Sequence, residues 1–309
     1  MTRGVVVLGS ANVDLMVEVE RRPHGGETLL GSDIRTFAGG KGANQAAAAA
    51  RAGAPTRFIA CVGQDGNGEF LRSQLTLAGV DVSGIQAVPH PTGTAMILVT
   101  PDGENSIVVS PGANRAMDLR VAEATAETWL HADVLVLNLE IPLETVHHLI
   151  DRAAESGVRI VLNAAPAASL DRRMLRHCDP LIVNEHEARF LLDADAQRKP
   201  EEMAADLLGE GARSVVITVG AAGSVVADAG GVTPIPAHRV EAVDTTGAGD
   251  AFVGAAACEL ARGEQLRSAV RFATAMSALS VQDLGAQSSY PDRAAVERFL
   301  RRLGEPGTD

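Results

Sequence analysis

The chain has 309 residues with 27 Lys+Arg against 39 Asp+Glu, a formal net charge of −12. That balance leaves no basic stripe to neutralise a nucleic-acid backbone, and no run of about 18 apolar residues could span a membrane. With 46% hydrophobic but only 3% aromatic residues, the interior must be filled by alanine, valine and leucine, and the length suits one large α/β domain or two small ones.

The first strand is predicted at 5–8, entered directly from Met1-Thr-Arg-Gly with no signal-peptide core, so a soluble cytoplasmic protein is expected. Gly9-Ser-Ala-Asn12-Val-Asp14 follows. It puts two side chains suited to sugar hydroxyls, Asn12 and Asp14, at the carboxyl end of a strand, where ligands of parallel sheets collect. Capping of a buried turn is the competing reading. Alternating patterns at 14–20 and 28–37 predict half-exposed strands. Phe37-Ala-Gly-Gly-Lys-Gly-Ala-Asn44 opens an alanine-rich helix at 41–52, closed by Gly53. Gly39, Gly40 and Gly42 allow close approach to the backbone, and Lys41 and Asn44 supply donors. This is not a Walker A loop, because Gly42 stands where Ser or Thr must hold magnesium.

A strand at 57–61 and a helix at 69–78 come next. A second alternating pair, 94–100 and 105–110, is joined by Pro101-Asp-Gly103 as a hairpin. Strands at 134–137, 159–162, 181–183 and 214–219 then alternate with helices at 119–129, 143–156, 185–192 and 200–208. That rhythm predicts an α/β fold with a mostly parallel central sheet flanked by helices on both faces. The two alternating pairs do not fit the layer. They are expected to form a small separate sheet, apolar on one face, that could close over a pocket or pair with a second subunit. Antiparallel strands at 224–227 and 231–236, a strand at 239–243 and helices at 251–262, 266–282 and 293–303 complete the chain. There is no internal repeat or linker, so 1–309 reads as a single domain. Cys61, Cys178 and Cys258 are far apart and odd in number, which points to buried reduced thiols. The eight histidines show no H-x-x-x-H spacing. His147, His148 and His186 read as solvent-facing helix residues and not as ligands.

The most informative segment is Asp244-Thr-Thr-Gly-Ala-Gly-Asp250. It places a small-residue turn at a helix N-terminus, where free N–H groups and the macrodipole favour an anion. Gly247 and Gly249 let a phosphate approach the backbone, and Asp250 sits where it could take a proton from a hydroxyl attacking phosphorus. The combination suggests phosphoryl transfer. The plainer reading is a glycine turn followed by a favourable dipole partner. A dinucleotide fingerprint is ruled out, since the glycine after Gly249 is Gly254 and the motif does not follow the first strand.

Together these segments resemble the ribokinase branch of the PfkB-type carbohydrate kinases over essentially the whole chain. Gly9-Ser-x-Asn-x-Asp14, Gly39-Gly-Lys-Gly-Ala-Asn-Gln45, Asn184-Glu-x-Glu187, Asp244-Thr-x-Gly-Ala-Gly-Asp250 and Gly285-Ala-Gln287 occur in family order and at family-like spacing. The resemblance implies a ribokinase-like fold in which the strands at about 14–37 and 94–110 form a β lid that also carries a homodimer interface. It implies phosphorylation of D-ribose at O5 by ATP, with Mg²⁺ and an activating K⁺.

By the same resemblance, Asn12, Asp14, Gly40, Lys41, Asn44 and Glu140 match sugar-binding positions. Asp250 matches the catalytic base, and the backbone N–H groups of Gly247, Ala248, Gly249 and Asp250 match the anion hole. Asn184 and Glu187 match the pair that organises the triphosphate and its Mg²⁺ through water. Thr218, Val219, Gly220, Ala221, Ala222 and Gly223, with Gly249 and Thr274, match nucleotide-binding positions. Thr274 stands where relatives often carry His or Asn. Asp244, Thr246, Ser280, Asp283, Gly285 and Ser289 match the K⁺ positions, largely through carbonyl oxygens, and Asp283 and Leu284 differ from a basic pair seen in some relatives.

Neighbouring specificities stay open: deoxyribose, another furanose or a nucleoside. A nucleoside pocket would want aromatic stacking, for which the lid offers only Phe37. From another class, a non-catalytic sugar-binding regulator competes. The intact base, glycine turn and Asn184/Glu187 pair speak against it.

Overall fold

The computed structural model describes residues 4–304; the reading of Met1–Arg3 lies outside them. Among the described residues the first half contains β1 (Val5–Leu8), β2 (Asn12–Glu18), β3 (Arg35–Gly39), α1 (Lys41–Arg51), β4 (Thr56–Gly63), α2 (Gly66–Leu77), β5 (Asp81–Val88), β6 (Gly93–Val99), β7 (Asn105–Ser110), α3 (Leu119–Ala124) and α4 (Ala126–Trp129). It continues with β8 (Val134–Asn138), α5 (Leu143–Glu155), β9 (Arg159–Asn163), β10 (Cys178–Asn184), α6 (Glu185–Leu192), α7 (Pro200–Gly209) and β11 (Val215–Thr218). The chain closes with β12 (Ser224–Asp228), β13 (Gly231–Ile235), α8 (Ala248–Ala261), α9 (Leu266–Ser280) and α10 (Arg293–Arg302).

Nine strands form one sheet in the order β13-β12-β11-β10-β9-β8-β1-β4-β5. From β11 to β5 every pairing is parallel, and β12 and β13 add an antiparallel edge. Because side chains alternate along a strand, Val5, Val7, Val134 and Val136 enter one core, beneath α1, α8 and α9. Val6, Leu8, Leu135 and Leu137 enter the other, with residues of α3, α5 and α7. Both faces are covered, as the unbroken apolar strands require. All three cysteines are free and buried, and among the described residues no helix is long and apolar enough to cross a membrane.

The second sheet has the order β3-β2-β6-β7. The two predicted strand pairs are joined through β2 and β6, which run parallel with Asp14 opposite Ala95. The expected division into an apolar and a polar face is not observed. Ile107, Val108 and Val109 of β7 are all exposed, and consecutive residues of a strand point to opposite faces.

Several boundaries differ from expectation. The strand predicted at 28–37 contracts to β3, and Leu30 and Ile34 project from a loop, 96% and 63% exposed. β5 carries no predicted counterpart: its pattern is broken by Gly84, where a Cβ would lie 2.7 Å from the Phe58 carbonyl oxygen. The segment 239–243 joins no ladder. The helix predicted at 119–129 breaks at Thr125, whose hydroxyl bonds back to the carbonyls of Val121 and Ala122 at 3.1 and 2.9 Å. His147 and His148 are half-buried, not solvent-facing; only His186 is exposed.

One packing contact builds the centre of the molecule. At Gly254 of α8 an added Cβ would stand 2.4 Å from the Gln45 carbonyl oxygen and 2.6 Å from the Ala48 Cβ. Only glycine lets α8 lie this close to the alanine face of α1. The approach sets the first turn of α8 against Asn44 and Gln45.

Candidate active site

α8 begins at Gly247, which adopts φ +73° as N-cap, so Asp250 lies in its first turn. Ala248 N donates to the Thr245 carbonyl at 3.2 Å, while the remaining N–H groups of that turn have no place in the helix ladder. An anion there would meet both free donors and the positive end of the helix. Within the turn, Asp250 is 8% exposed. Its Oδ2 accepts from Asn44 Nδ2 at 3.0 Å and its Oδ1 from Gln45 Nε2 at 2.9 Å. Burial raises its pKa; the charge of Lys41 and the two amides act in the opposite sense, and Glu140 adds to the rise. A raised carboxylate that remains a hydrogen-bond acceptor suits a proton-taking role.

The groups expected to hold a sugar converge beside it from β2, from the start of α1 and from the turn after β8. Gly40, at φ +86°, caps α1, and a Cβ there would meet Asn12 N at 2.7 Å. This close crossing brings the start of α1 against β2. Lys41 N donates to Glu140 Oε2 at 3.0 Å, and Ser10 Oγ donates to the same oxygen at 2.5 Å. The Asn12 Oδ1 accepts from Asn114 Nδ2 at 2.8 Å. Burial works against the charge of Lys41, but Asp250, Glu140 and Glu187 outweigh it and raise its pKa. Asp14 is pushed up to about 7, first by burial and then by Glu140 and Asp250. Carboxylates and one ammonium therefore share a single electrostatic site. A cavity of about 360 Å³ adjoins it, lined by Asn12, Glu140, Asn114, Val109 and Arg115 among others.

Asn184 and Glu187 form a reciprocal cap at the start of α6. Glu187 N donates to Asn184 Oδ1 at 2.9 Å and Asn184 N to Glu187 Oε2 at 2.8 Å. Glu187 is 6% exposed and burial raises its pKa. Its charge acts on Lys41 and it feels that of Asp250, so the cap lies within electrostatic reach of the same site. Beyond β11, Gly220–Ala222 forms a single 3-10 turn closed by the bond from Val219 N to the Gly223 carbonyl, 2.8 Å.

Asp244 organises the loop before α8. Its Oδ1 accepts from Thr246 N and Thr246 Oγ1 at 2.9 and 2.7 Å, and its Oδ2 from Gly285 N at 2.8 Å. Burial would raise its pKa, but these bonds hold it below the usual carboxylate value. Asp244, Thr246 and Gly285 are thus brought together. The hydroxyls of Ser280, Ser289 and Thr274 have no proton to offer a ligand and keep only acceptor lone pairs. Each hydroxyl is committed to a carbonyl of its own turn: Ser277 at 2.9 Å, Ala286 at 2.9 Å and Val270 at 2.8 Å. Asp283 is exposed.

The sequence reading overlooked the residues that support these groups. Gln45, Asn163 and Gln287 are buried around Asp250, Ser10 and Asn138 steady Glu140, and the Tyr290 hydroxyl donates to the Gly247 carbonyl at 3.0 Å. Ser10, Gln45 and Gln287 stand inside three of the quoted motifs, the signal that could have found them.

Comparison with known proteins gives a consistent picture. Residues 2–293 match the family profile described as pfkB family carbohydrate kinase. A ribokinase of Schizosaccharomyces pombe is 40% identical over 306 residues, spanning 95% of this chain and 96% of that protein. A deoxyribokinase of Salmonella typhi is 34% identical over 303 residues, spanning 97% and 98%. The structure of an Arabidopsis thaliana ribokinase complexed with ribose and ATP aligns with a TM-score of 0.91 at 32% identity, covering 97% of this chain and 99% of that one.

Proposed function

Because the chain belongs to the pfkB family of carbohydrate kinases, we propose that it transfers the γ-phosphoryl group of ATP to O5 of D-ribose, giving ribose 5-phosphate and ADP. It is a phosphotransferase of ribokinase-like fold, and its similarity to ribokinases over nearly the full length favours ribose. The observation that carries the mechanism is the place of Asp250 in the glycine turn of α8: a buried acceptor belongs to the same first helical turn that leaves N–H groups outside the ladder.

In this reading Asn12, Asp14, Gly40, Lys41, Asn44 and Glu140 orient the sugar so that O5 meets Asp250. As the O5–phosphorus bond forms and the bond to the β-phosphate oxygen breaks, the O5 proton passes to Asp250. The N–H groups of Gly247, Gly249 and Asp250 hold the transferring oxygens, whose charge is spread in the transition state; that of Ala248, expected among them, is bonded to the Thr245 carbonyl. The nucleotide lies along Thr218–Gly223, with Gly249 beneath the phosphates and Thr274 beside the base.

Magnesium would neutralise the triphosphate and K⁺ would add a fixed positive charge beside the turn. Among the described residues no three His, Cys, Asp or Glu side chains are grouped to hold a metal. This fits a magnesium ion bound chiefly by phosphates and water, with Asn184 and Glu187 in its outer sphere. For K⁺ the fit lies in the main chain. The carbonyls of Asp244, Thr246, Asp283 and Gly285 take part in no backbone hydrogen bond among the described residues, and a weakly hydrated cation is well served by such oxygens. The carbonyls of Ser280 and Ser289 complete the proposed set. We also assign a cytoplasmic homodimer joined through the lid sheet, where Met96 and Val108 offer exposed apolar surface on one face.

ADP release is to be measured with Mg²⁺-ATP over ribose, deoxyribose, fructose and adenosine, in K⁺ or Na⁺, beside Asp250→Asn. Ribose-dependent release favoured by K⁺ and reduced on the order of 10²–10⁴ in the variant is expected. Preference for deoxyribose, the activity named for the Salmonella typhi relative, would retain the mechanism and overturn the ribose assignment. Folded protein that binds ATP but turns over no acceptor would favour the regulatory reading.

A further inference from the structure

We propose that Gln45 and Gln287 are positioning residues that clamp Asp250 as an ionised carboxylate turned toward its substrate. Gln45 acts directly and Gln287 acts through Asn44. The proposal rests on Asp250 being the base.

Asp250 lies at the seam of α1 and α8, almost out of reach of water. A carboxylate in such a place becomes neutral unless donors replace its hydration. Two amides do so, one on each oxygen. An amide is useful here only if its NH₂ end faces the carboxylate, since the opposite end would set oxygen against oxygen.

That orientation is imposed from outside on both sides. Asn163 gives its Nδ2 to the Ile182 carbonyl at 3.2 Å, which turns its Oδ1 toward Gln45. Gln45 Nε2 then donates at 2.9 Å to Asn163 and at 2.9 Å to Asp250. On the other side Gln287 Nε2 donates to Asn44 Oδ1 at 3.0 Å. The Asn44 Nδ2 is thereby left facing Asp250. Donors run inward from both ends and meet on Asp250, and only an ionised carboxylate accepts both while keeping a lone pair free on either oxygen for the incoming proton.

The arrangement carries a cost that points the same way. Gln45 Oε1 and Gln287 Oε1 are buried without a hydrogen-bond partner. Glutamines serving only to fill space could turn over to relieve this; here the demand of Asp250 forbids it. The other titratable groups that act on Asp250 or feel its charge are Lys41, Glu140, Asp14, Glu187 and Tyr290. The amides carry no net charge, so they act through their hydrogen bonds, which fix the carboxylate's orientation and favour its ionised form.

The test uses Gln45→Leu and Gln287→Leu in the full chain. The carboxyl ¹³C titration of Asp250, assigned by its loss in Asp250→Asn, is followed in substrate-free protein. Gln45→Leu removes a donor to the charged form and Gln287→Leu frees Asn44 to turn its own donor away, so the midpoint moves to higher pH in both variants. In turnover, kcat falls roughly 10- to 100-fold with the sugar KM changed less than about threefold, and the acidic limb of kcat moves up in pH, as expected for a hydrogen bond to a charged group. Folded variants whose titration midpoint and acidic limb both match the parent would overturn the clamp. Should Gln45→Leu fail to fold, Gln287→Leu decides alone, because it reaches Asp250 from the loop side. A parent protein that phosphorylates no sugar would sink the functional assignment instead, and the titration would still decide the clamp.

Discussion

Tyr290 and Gly247 are joined by a hydrogen bond of 3.0 Å from the phenol to the main-chain carbonyl. It ties the loop after α9 to the residue that starts α8. The phenol is held neutral: burial pushes its pKa well above the ordinary value, with Asp250 and Asp14 adding to the effect. Tyr290 is thus a fixed donor at the edge of the anion-binding turn.

Tyr290→Phe should cost about 1 kcal/mol of stability and lower kcat several-fold by loosening that turn. Gly247→Ala should do more harm, because its φ of +73° disfavours a side chain and the new Cβ would lie 2.5 Å from the Ala286 Cβ. Thermal denaturation and turnover of the two variants, side by side, check both statements. A Gly247→Ala protein as stable and active as the parent would show that the turn can relax.

The elevated Asp14 predicts two linked pH effects. Between the ordinary value of 3.8 and about 7, the folded protein holds a proton on Asp14 that the unfolded chain has lost. The contribution of this group to stability therefore falls as pH rises through that window. Sugar binding should run the opposite way, with KM rising below about pH 7 as Asp14 ceases to be a carboxylate. Asp14→Asn should flatten both profiles in denaturant titrations and in KM measured against pH.

Glu187 has two separable duties. As a partner in the α6 cap it accepts from Asn184 N, and as a buried carboxylate it is assigned to the magnesium-bearing phosphates. Glu187→Gln keeps an acceptor for the cap and removes the charge. Its melting temperature should stay near the parent's while the Mg²⁺ midpoint for turnover rises several-fold. Glu187→Ala should in addition lose about 1 kcal/mol through the cap. An unchanged Mg²⁺ titration in Glu187→Gln would confine the residue to capping.

Glu259 is fully buried in α8, and its Oε1 accepts from Arg293 Nη1 of α10 at 2.5 Å. Arg293 keeps Glu297 and the Ala52 carbonyl as partners, so Glu259→Ala should cost only the buried charged hydrogen bond, about 1.5–3 kcal/mol. Activity per folded molecule should be kept, since the pair lies well along α8 from Asp250. Denaturant unfolding with turnover measured below the transition tests the separation.

Much of this could be read without coordinates. The turn before α8 was legible because glycine at 247 and 249 and acid at 250 are local choices with local consequences. α8 starts earlier than predicted, because Ala248 and Gly249 already take helical conformation after the Gly247 cap. Alternation located β2, β6 and β7 of the lid, but for β3 it started too early, over residues that form a loop. It missed β5, since Gly84 interrupts its pattern.

What the sequence by itself determined was everything governed by near neighbours: the alternation of strand and helix, the two glycine turns, the hairpin, and the set of residues carried by five motifs in order. Tertiary structure alone decided which of those residues meet. Gln45 reaches Asp250 across 205 positions, and Gln287 reaches Asn44 across 243. The first depends on α8 lying against α1 at Gly254 and the second on the loop after α9 reaching α1, and periodicity, propensity and spacing carry no information over such separations. A hydrogen bond needs its partners within about 3 Å, and only the packing of distant elements brings them there.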